Sequence, residues 1–219
     1  VRLMQRVGVD AVIQVARDLG VTAPLTQDLS LALGTSEMPL LELAQAYAAV
    51  AAGAWPVRAH GLRPEEEGWF DRLMKRQRPF DQDELEMIRD LLSSAANRGT
   101  GSAAALRTST FGKTGTTQDS RDAIFVGYAG GLVTAVWMGN DDNKPLPGGA
   151  AGGGVPARIW RDFMAGAIND PVEDVAKEEQ DSDLVNAIAN VAVDGTLGNI
   201  SVDVDPDGGT LNIGPAQIR

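Results

Sequence analysis

The stretch Gly112-Lys113-Thr114-Gly115-Thr116-Thr117 decides how this chain is read. It packs a cation, hydroxyls on alternate residues and a position without a side chain into a few residues. Thr108-Ser-Thr-Phe111 before it and Arg121-Asp-Ala-Ile-Phe-Val-Gly-Tyr128 after it both read as strands. Continued through 113–117, strand alternation puts Thr114 and Thr116 on one face and Lys113 on the other. Gly115 lets a ligand backbone come close. Such a strand can hold a carboxylate and offer an amide N–H to a developing oxyanion. A phosphate-binding loop competes, but it needs a glycine where the chain has Arg107 and a helix starting at Lys113, where Gly-Thr-Thr-Gln-Asp is a poor start. The plainest alternative is a strand edge with turn residues.

The flanks extend the signal. The run Gly112 to Asn143, GKTGTTQDSRDAIFVGYAGGLVTAVWMGNDDN, resembles the transpeptidase domain of class A penicillin-binding proteins, whose K-T-G box it contains. Gly152-Gly-Gly-Val-Pro-Ala-Arg-Ile-Trp-Arg-Asp-Phe-Met164, Leu33 to Tyr47 and Gly99-Thr-Gly101 are similar to the same family, in the same order. The resemblance covers about residues 1–168. It implies an α+β fold of the penicillin-binding protein and serine β-lactamase type: an antiparallel sheet flanked by helices, with a helical subdomain. It further implies D,D-transpeptidase activity on peptidoglycan stem peptides, inhibition by β-lactams and no cofactor or metal. The expected partners are D-Ala-D-Ala donors, with no nucleic acid. The expected location is the periplasmic face of the bacterial inner membrane, in a membrane-anchored protein with a glycosyltransferase domain. Lys113 and Thr116 become the expected catalytic residues, and Thr114, Gly115, Thr116 and Thr117 the expected substrate-binding ones.

The family also carries a nucleophile box S-x-x-K and a second box S-x-N ahead of K-T-G. No serine of this chain has Lys three residues on or Asn two residues on. Thr110-Phe-Gly-Lys113 has the spacing but overlaps K-T-G. The expectation is therefore an N-terminally truncated transpeptidase, inactive by itself, whose nucleophile precedes Val1. The alternative is a non-catalytic module of the same fold used for sensing or protein contact.

Net charge is −11 over 219 residues, and there is no cysteine. Thiol and disulfide chemistry are thereby excluded. Residues 170–219 hold 11 acidic and 2 basic side chains, leaving 19 acidic and 17 basic in the rest. Nucleic-acid binding wants a basic face, which this composition lacks. The division expected is the C-terminal portion of a transpeptidase domain over 1–169 and an acidic, disordered tail over 170–219, with Pro171 to Asp183 as a linker.

Several helices follow from pattern. Residues 1–7 read as the later part of one. Asp10 caps a second carrying Val12, Val15, Ala16 and Leu19, ended by Gly20. Pro39 opens a third to about Ala52, with Gly53 after it and Glu42 and Gln45 on a solvated face. Asp81-Gln-Asp-Glu84 is a capping box ahead of Leu85, Ile88, Leu92 and Ala95. Ser102 to Leu106 reads as one more helical turn, and Trp55 to Arg58 as a short strand. Asp122–Tyr128 and Leu132–Gly139 read as covered strands joined at Ala129-Gly-Gly131. Pro156 opens a helix bearing Trp160, Phe163, Met164 and Ala167.

Other polar groups carry weaker functional readings. His60, the only histidine, has no base partner nearby in sequence. Pro64–Glu67 and Lys75–Arg78 read as solvated charge runs. Asn140–Asn143 reads as a loop end rather than a metal site. Asp203-Val-Asp-Pro-Asp-Gly208 begins like a calcium loop but has Gly214 where the bidentate Glu belongs.

Overall fold

The computed structural model describes residues 1–61, 77–170, 200–204 and 211–215. The chain divides into two compact units, 1–172 and 173–219. Asp170, at the compositional boundary, belongs to the first unit. Its carboxylate accepts the Thr108 N–H at 2.6 Å, which holds it below the ordinary aspartate range.

The first unit opens with α1 (Arg2–Val7) and α2 (Val9–Asp18). Gly8, at φ 95°, separates them and occupies the N-cap of α2, so Asp10 sits in the first turn rather than at the cap. The third helix, α3 (Leu40–Ala52), begins after Pro39 and ends at a left-handed Gly53, as its flanking residues predict. Glu42 on α3 is not simply solvated. Its carboxylate accepts the Thr22 hydroxyl and the N–H groups of Thr22 and Ala23, and these bonds lower its pKa. It thereby fastens the loop after α2 onto α3.

After α3, β1 (Ala54–Trp55) pairs antiparallel with β2 (Arg78–Pro79). The strand expected at 55–58 is thus shorter and begins one residue earlier. Helix α4 (Gln82–Asn97) is capped by Asp81, whose carboxylate accepts the N–H groups of Asp83 and Glu84. It packs against the next strand, and Asn97 Nδ2 donates to Thr110 O at 2.9 Å.

The sheet is an antiparallel meander in the order β3 (Phe111–Thr116), β4 (Asp122–Ala129) and β5 (Leu132–Gly139). Thr108–Thr110 does not extend β3. Thr110 is fully buried, its hydroxyl accepting Leu106 N–H and donating to Thr108 O, so local bonds replace a ladder there. Strand β4 is central and covered. Strand β5 lies at the edge of the described sheet, with Leu132 and Trp137 exposed, against the expectation of a strand covered on both faces.

Register assigns the faces, because residues directly opposite share one. Phe111, Tyr128 and Val133 share a face with Lys113 and Val126. There Phe111 stacks on Tyr128 at 4.8 Å, over Val50, Leu85, Ile88 and Leu92 of α3 and α4. Thr114, Phe125 and Val136 share the other face. Helix α5 (Val155–Ala167) covers it, with Trp160 and Met164 fully buried against Phe125, Ala96 and Ala104. Complete burial of one such side chain stabilises by about 1.5–3 kcal/mol. Phe163, expected on this stripe, is 59% exposed. In the second unit the described residues form an antiparallel pair, β6 (Ile200–Val204) and β7 (Leu211–Pro215), which the sequence reading did not place. The acidic runs at 64–67 and 171–183, Lys75 and Arg76, and positions 205–208 lie outside the described residues.

Candidate active site

Strand β3 delivers the chemistry-bearing residues in the alternation expected of it. The Thr114 and Thr116 side chains lie on the α5 face and Lys113 on the opposite one. The Thr114 hydroxyl is 2.7 Å from the Thr100 hydroxyl. Thr116 Oγ1 accepts the backbone N–H of Gly152 at 3.1 Å. The Lys113 ammonium folds back along the strand and donates to Thr114 O at 2.9 Å. Lys113 and Thr116 are exposed, while Thr114 and Gly115 are half-buried.

Two segments outside the strand shape this surface. Thr100 is held by a tight turn in which Gly101 N–H donates to Ala95 O and Ser102 N–H to Gly99 O. The run Gly152-Gly153-Gly154 lies directly on the sheet. A Cβ at Gly152 would overlap the carbonyl oxygens of Gly115 and Ile124, and one at Gly153 would overlap Thr100 O. Only glycine therefore brings the 152 amide within reach of Thr116.

Thr117 stands apart from this group. Its hydroxyl accepts the Asp122 N–H at 2.7 Å and donates to Asp122 Oδ2 at 3.1 Å. Asp122 Oδ1 in turn accepts the Trp137 indole N–H at 3.0 Å. Thr117 thus closes the turn at the end of β3. That turn carries Asp119 and Ser120 at positive φ and is tied to the loop after β5 by Leu146 N–H to Ser120 O and Arg121 Nη1 to Asn143 O.

These features leave a short edge of the described sheet with two hydroxyls on one face, a cation beside it, and no carboxylate bonded to them among the described residues. It can hold an anion of carboxylate size. A model of the penicillin binding protein transpeptidase domain matches residues 14–165. The chain belongs to this family. Penicillin-binding protein 1A of Neisseria gonorrhoeae is 32% identical over 183 residues, covering 77% of this chain and 23% of that protein. Penicillin-binding protein 1A of Aquifex aeolicus is 32% identical over 169 residues, covering 75% and 23%. The chain thus spans about a quarter of the length of these relatives. In fold it is similar to the crystal structure of penicillin-binding protein 1A from Haemophilus influenzae, with a TM-score of 0.56, 21% identity, all of this chain and 38% of that one covered.

The transpeptidase match encloses both the K-T-G strand and the glycine run that touches it. Sequence reasoning named Lys113, Thr114, Gly115 and Thr116, which lie consecutively on β3 with Lys113 facing away from the two hydroxyls. It missed the pairing of Thr100 with Thr114 and of Gly152 with Thr116. Both segments stand out in the sequence, as Gly99-Thr-Gly101 and Gly152-Gly-Gly154, but nothing local says what they touch. Asp122 was read only as the start of a strand. His60 lies elsewhere, in a cleft of about 920 Å³ also lined by Arg17, Gln45, Trp55, Arg58 and Arg78. No residue of 112–117 lines that cleft.

Proposed function

We propose that the protein to which this chain belongs is a serine D,D-transpeptidase that cross-links peptidoglycan stem peptides, and that this chain supplies its carboxylate-binding strand. The observation that carries the reading is the arrangement of Thr114 and Thr116 on one face of β3, an edge strand of the described sheet, with the Lys113 ammonium beside them. The terminal carboxylate of a D-Ala-D-Ala donor accepts hydrogen bonds from these two hydroxyls. The Thr116 N–H is one of two oxyanion donors, and Lys113 adds positive charge near the reacting centre. Gly115 leaves room for the donor's backbone. A serine Oγ attacks the carbonyl between the two D-Ala residues, the C–N bond breaks, and the departing amine takes a proton. An amine of a neighbouring stem then attacks the ester and frees the serine. β-Lactams enter by the same acylation and stop there.

No S-x-x-K or S-x-N box occurs in the 219 residues, so on this reading the nucleophile and its base come from outside them. Membrane anchoring, an attached glycosyltransferase domain and a periplasmic location belong to the same proposal. Among the described residues no helix is long and apolar enough to cross a membrane. The missing boxes also favour a second reading, a non-catalytic module of the same fold. Intact-mass spectrometry after incubation with penicillin tests both. The 219-residue chain is expected to stay unmodified, and a product extended upstream to include S-x-x-K is expected to gain one penicillin. A stoichiometric adduct on the chain alone would refute the assignment of the nucleophile. An unmodified extended product would favour the non-catalytic module.

A further inference from the structure

We propose that Thr100 and the backbone amide of Gly152 are positioning groups that turn Thr114 and Thr116 into hydrogen-bond donors, and so select a free carboxylate over its amide. This rests on the carboxylate reading of β3 given above.

A threonine hydroxyl has one proton to give and two lone pairs to receive. The Gly152 amide can only donate, so its 3.1 Å bond to Thr116 Oγ1 fills a lone pair and leaves the Thr116 proton for a ligand. The pair Thr100–Thr114, 2.7 Å apart, shares one bond that either hydroxyl can donate. A ligand that only accepts resolves this choice. It takes the Thr114 proton, and Thr100 then donates to Thr114. Two short relays result, Thr100 to Thr114 to ligand and Gly152 to Thr116 to ligand. Each first bond polarises the second, and the ionised acceptor strengthens both. A carboxylate meets two donors with two oxygens. A carboxamide brings an NH₂ that must face one of the same protons, and it loses that relay.

The framework holds both first donors in place. Thr100 lies in the turn fixed by Gly101 N–H to Ala95 O, 3.1 Å, and Ser102 N–H to Gly99 O, 3.2 Å. Gly153 packs on the Thr100 carbonyl so closely that a Cβ would overlap it. The same glycine run therefore presses Thr100 toward Thr114 and presents the 152 amide to Thr116.

The test is titration of the isotope-labelled 219-residue chain with N-acetyl-D-Ala-D-Ala and with its C-terminal amide, read from amide chemical shifts of Gly115 and Thr116. The parent is expected to prefer the carboxylate. Thr100→Val and Thr100→Ala should each cut that preference roughly fivefold, equivalent to about 1 kcal/mol at 1.4 kcal/mol per tenfold. Affinity for the amide should stay unchanged, and Thr100→Ser should restore the preference. A full preference in both hydroxyl-free variants would overturn the relay while leaving the carboxylate reading intact. An equal loss for both ligands would do the same, because it marks a structural role. A parent that binds neither ligand, or binds both alike, would overturn the carboxylate reading and this inference with it.

Discussion

Replacing Gly152 with alanine asks whether the glycine run is what lets its loop rest on the K-T-G strand. The added Cβ would overlap the carbonyl oxygens of Gly115 and Ile124 and lie 3.0 Å from Gly115 N. These atoms belong to the backbones of paired strands and cannot swing aside. Carbon-to-oxygen contacts settle near about 3.3 Å or more, so the loop must withdraw by on the order of 1 Å. The Gly152 N–H to Thr116 Oγ1 bond, 3.1 Å long, then opens to about 4 Å, outside hydrogen-bond range. Forced packing costs about 1–3 kcal/mol, and the lost bond adds about 0.5–1.5 kcal/mol. Together these give roughly 1.5–4.5 kcal/mol. At about 2–4 °C per kcal/mol for a unit of this size, Tm should fall by at least about 3 °C. Thermal unfolding by circular dichroism measures the fall, and the Thr116 amide resonance should move with it. A Tm within about 2 °C of the parent, with Thr116 unmoved, would refute the close packing of loop on strand.

Two further outcomes follow from the core. Trp160 is fully buried, meets Phe125 edge-on at 5.2 Å and donates its indole N–H to Thr134 O at 3.0 Å. Trp160→Ala should lower unfolding free energy by about 3–5 kcal/mol in urea titrations, and a loss below about 1 kcal/mol would mean the helix–sheet core is not built on this residue. Burial pushes the Tyr47 phenol up to about 12 and also raises Tyr128, for which Arg89 partly offsets the burial. A folded pKa above the unfolded one contributes stability below about pH 10 that is lost as pH rises toward the folded value. Phenolate absorbance of the folded chain should therefore appear late, and titration of both tyrosines near pH 10 with the fold intact would contradict their burial.

The sheet was legible in the sequence because its signals are local. Apolar runs of strand length, a Gly-Gly turn at 130–131 and the alternation through Lys113–Thr116 each report on their own neighbours. Helix α4 was legible for the same reason: Asp81 caps it and Leu85, Ile88 and Leu92 repeat at helical spacing. What escaped depends on contacts between distant segments. Thr108–Thr110 has strand-forming residues, yet the burial of Thr110 and the carboxylate of Asp170 take up the backbone groups that a ladder would use. Glu42 looks solvated on its helix and becomes a clasp only when the loop at Thr22 folds over it. Phe163 fits the helical stripe by spacing, but Trp160 and Met164 already fill the space over Phe125.

The same distinction separates the two halves of the site. The groups assigned to the ligand, Thr114, Thr116 and the Lys113 ammonium, all sit within one strand, so their spacing is set by the strand repeat of about 3.3 Å per residue and little can disturb it. The groups assigned to orient them come from a turn 14 residues away and a loop 36 residues away. Their geometry depends on α4, β4 and α5 all being in place. On the proposed reading, the strand provides position and the converging segments decide which hydroxyl gives its proton. Carboxylate recognition built this way uses neutral donors and one exposed cation. It avoids the desolvation penalty of a buried charge, which a site exposed on an edge strand has no low-dielectric surroundings to offset. Damage to the strand should abolish binding of every ligand. Damage to Thr100 should weaken the preference for the carboxylate and leave the affinity for the amide unchanged.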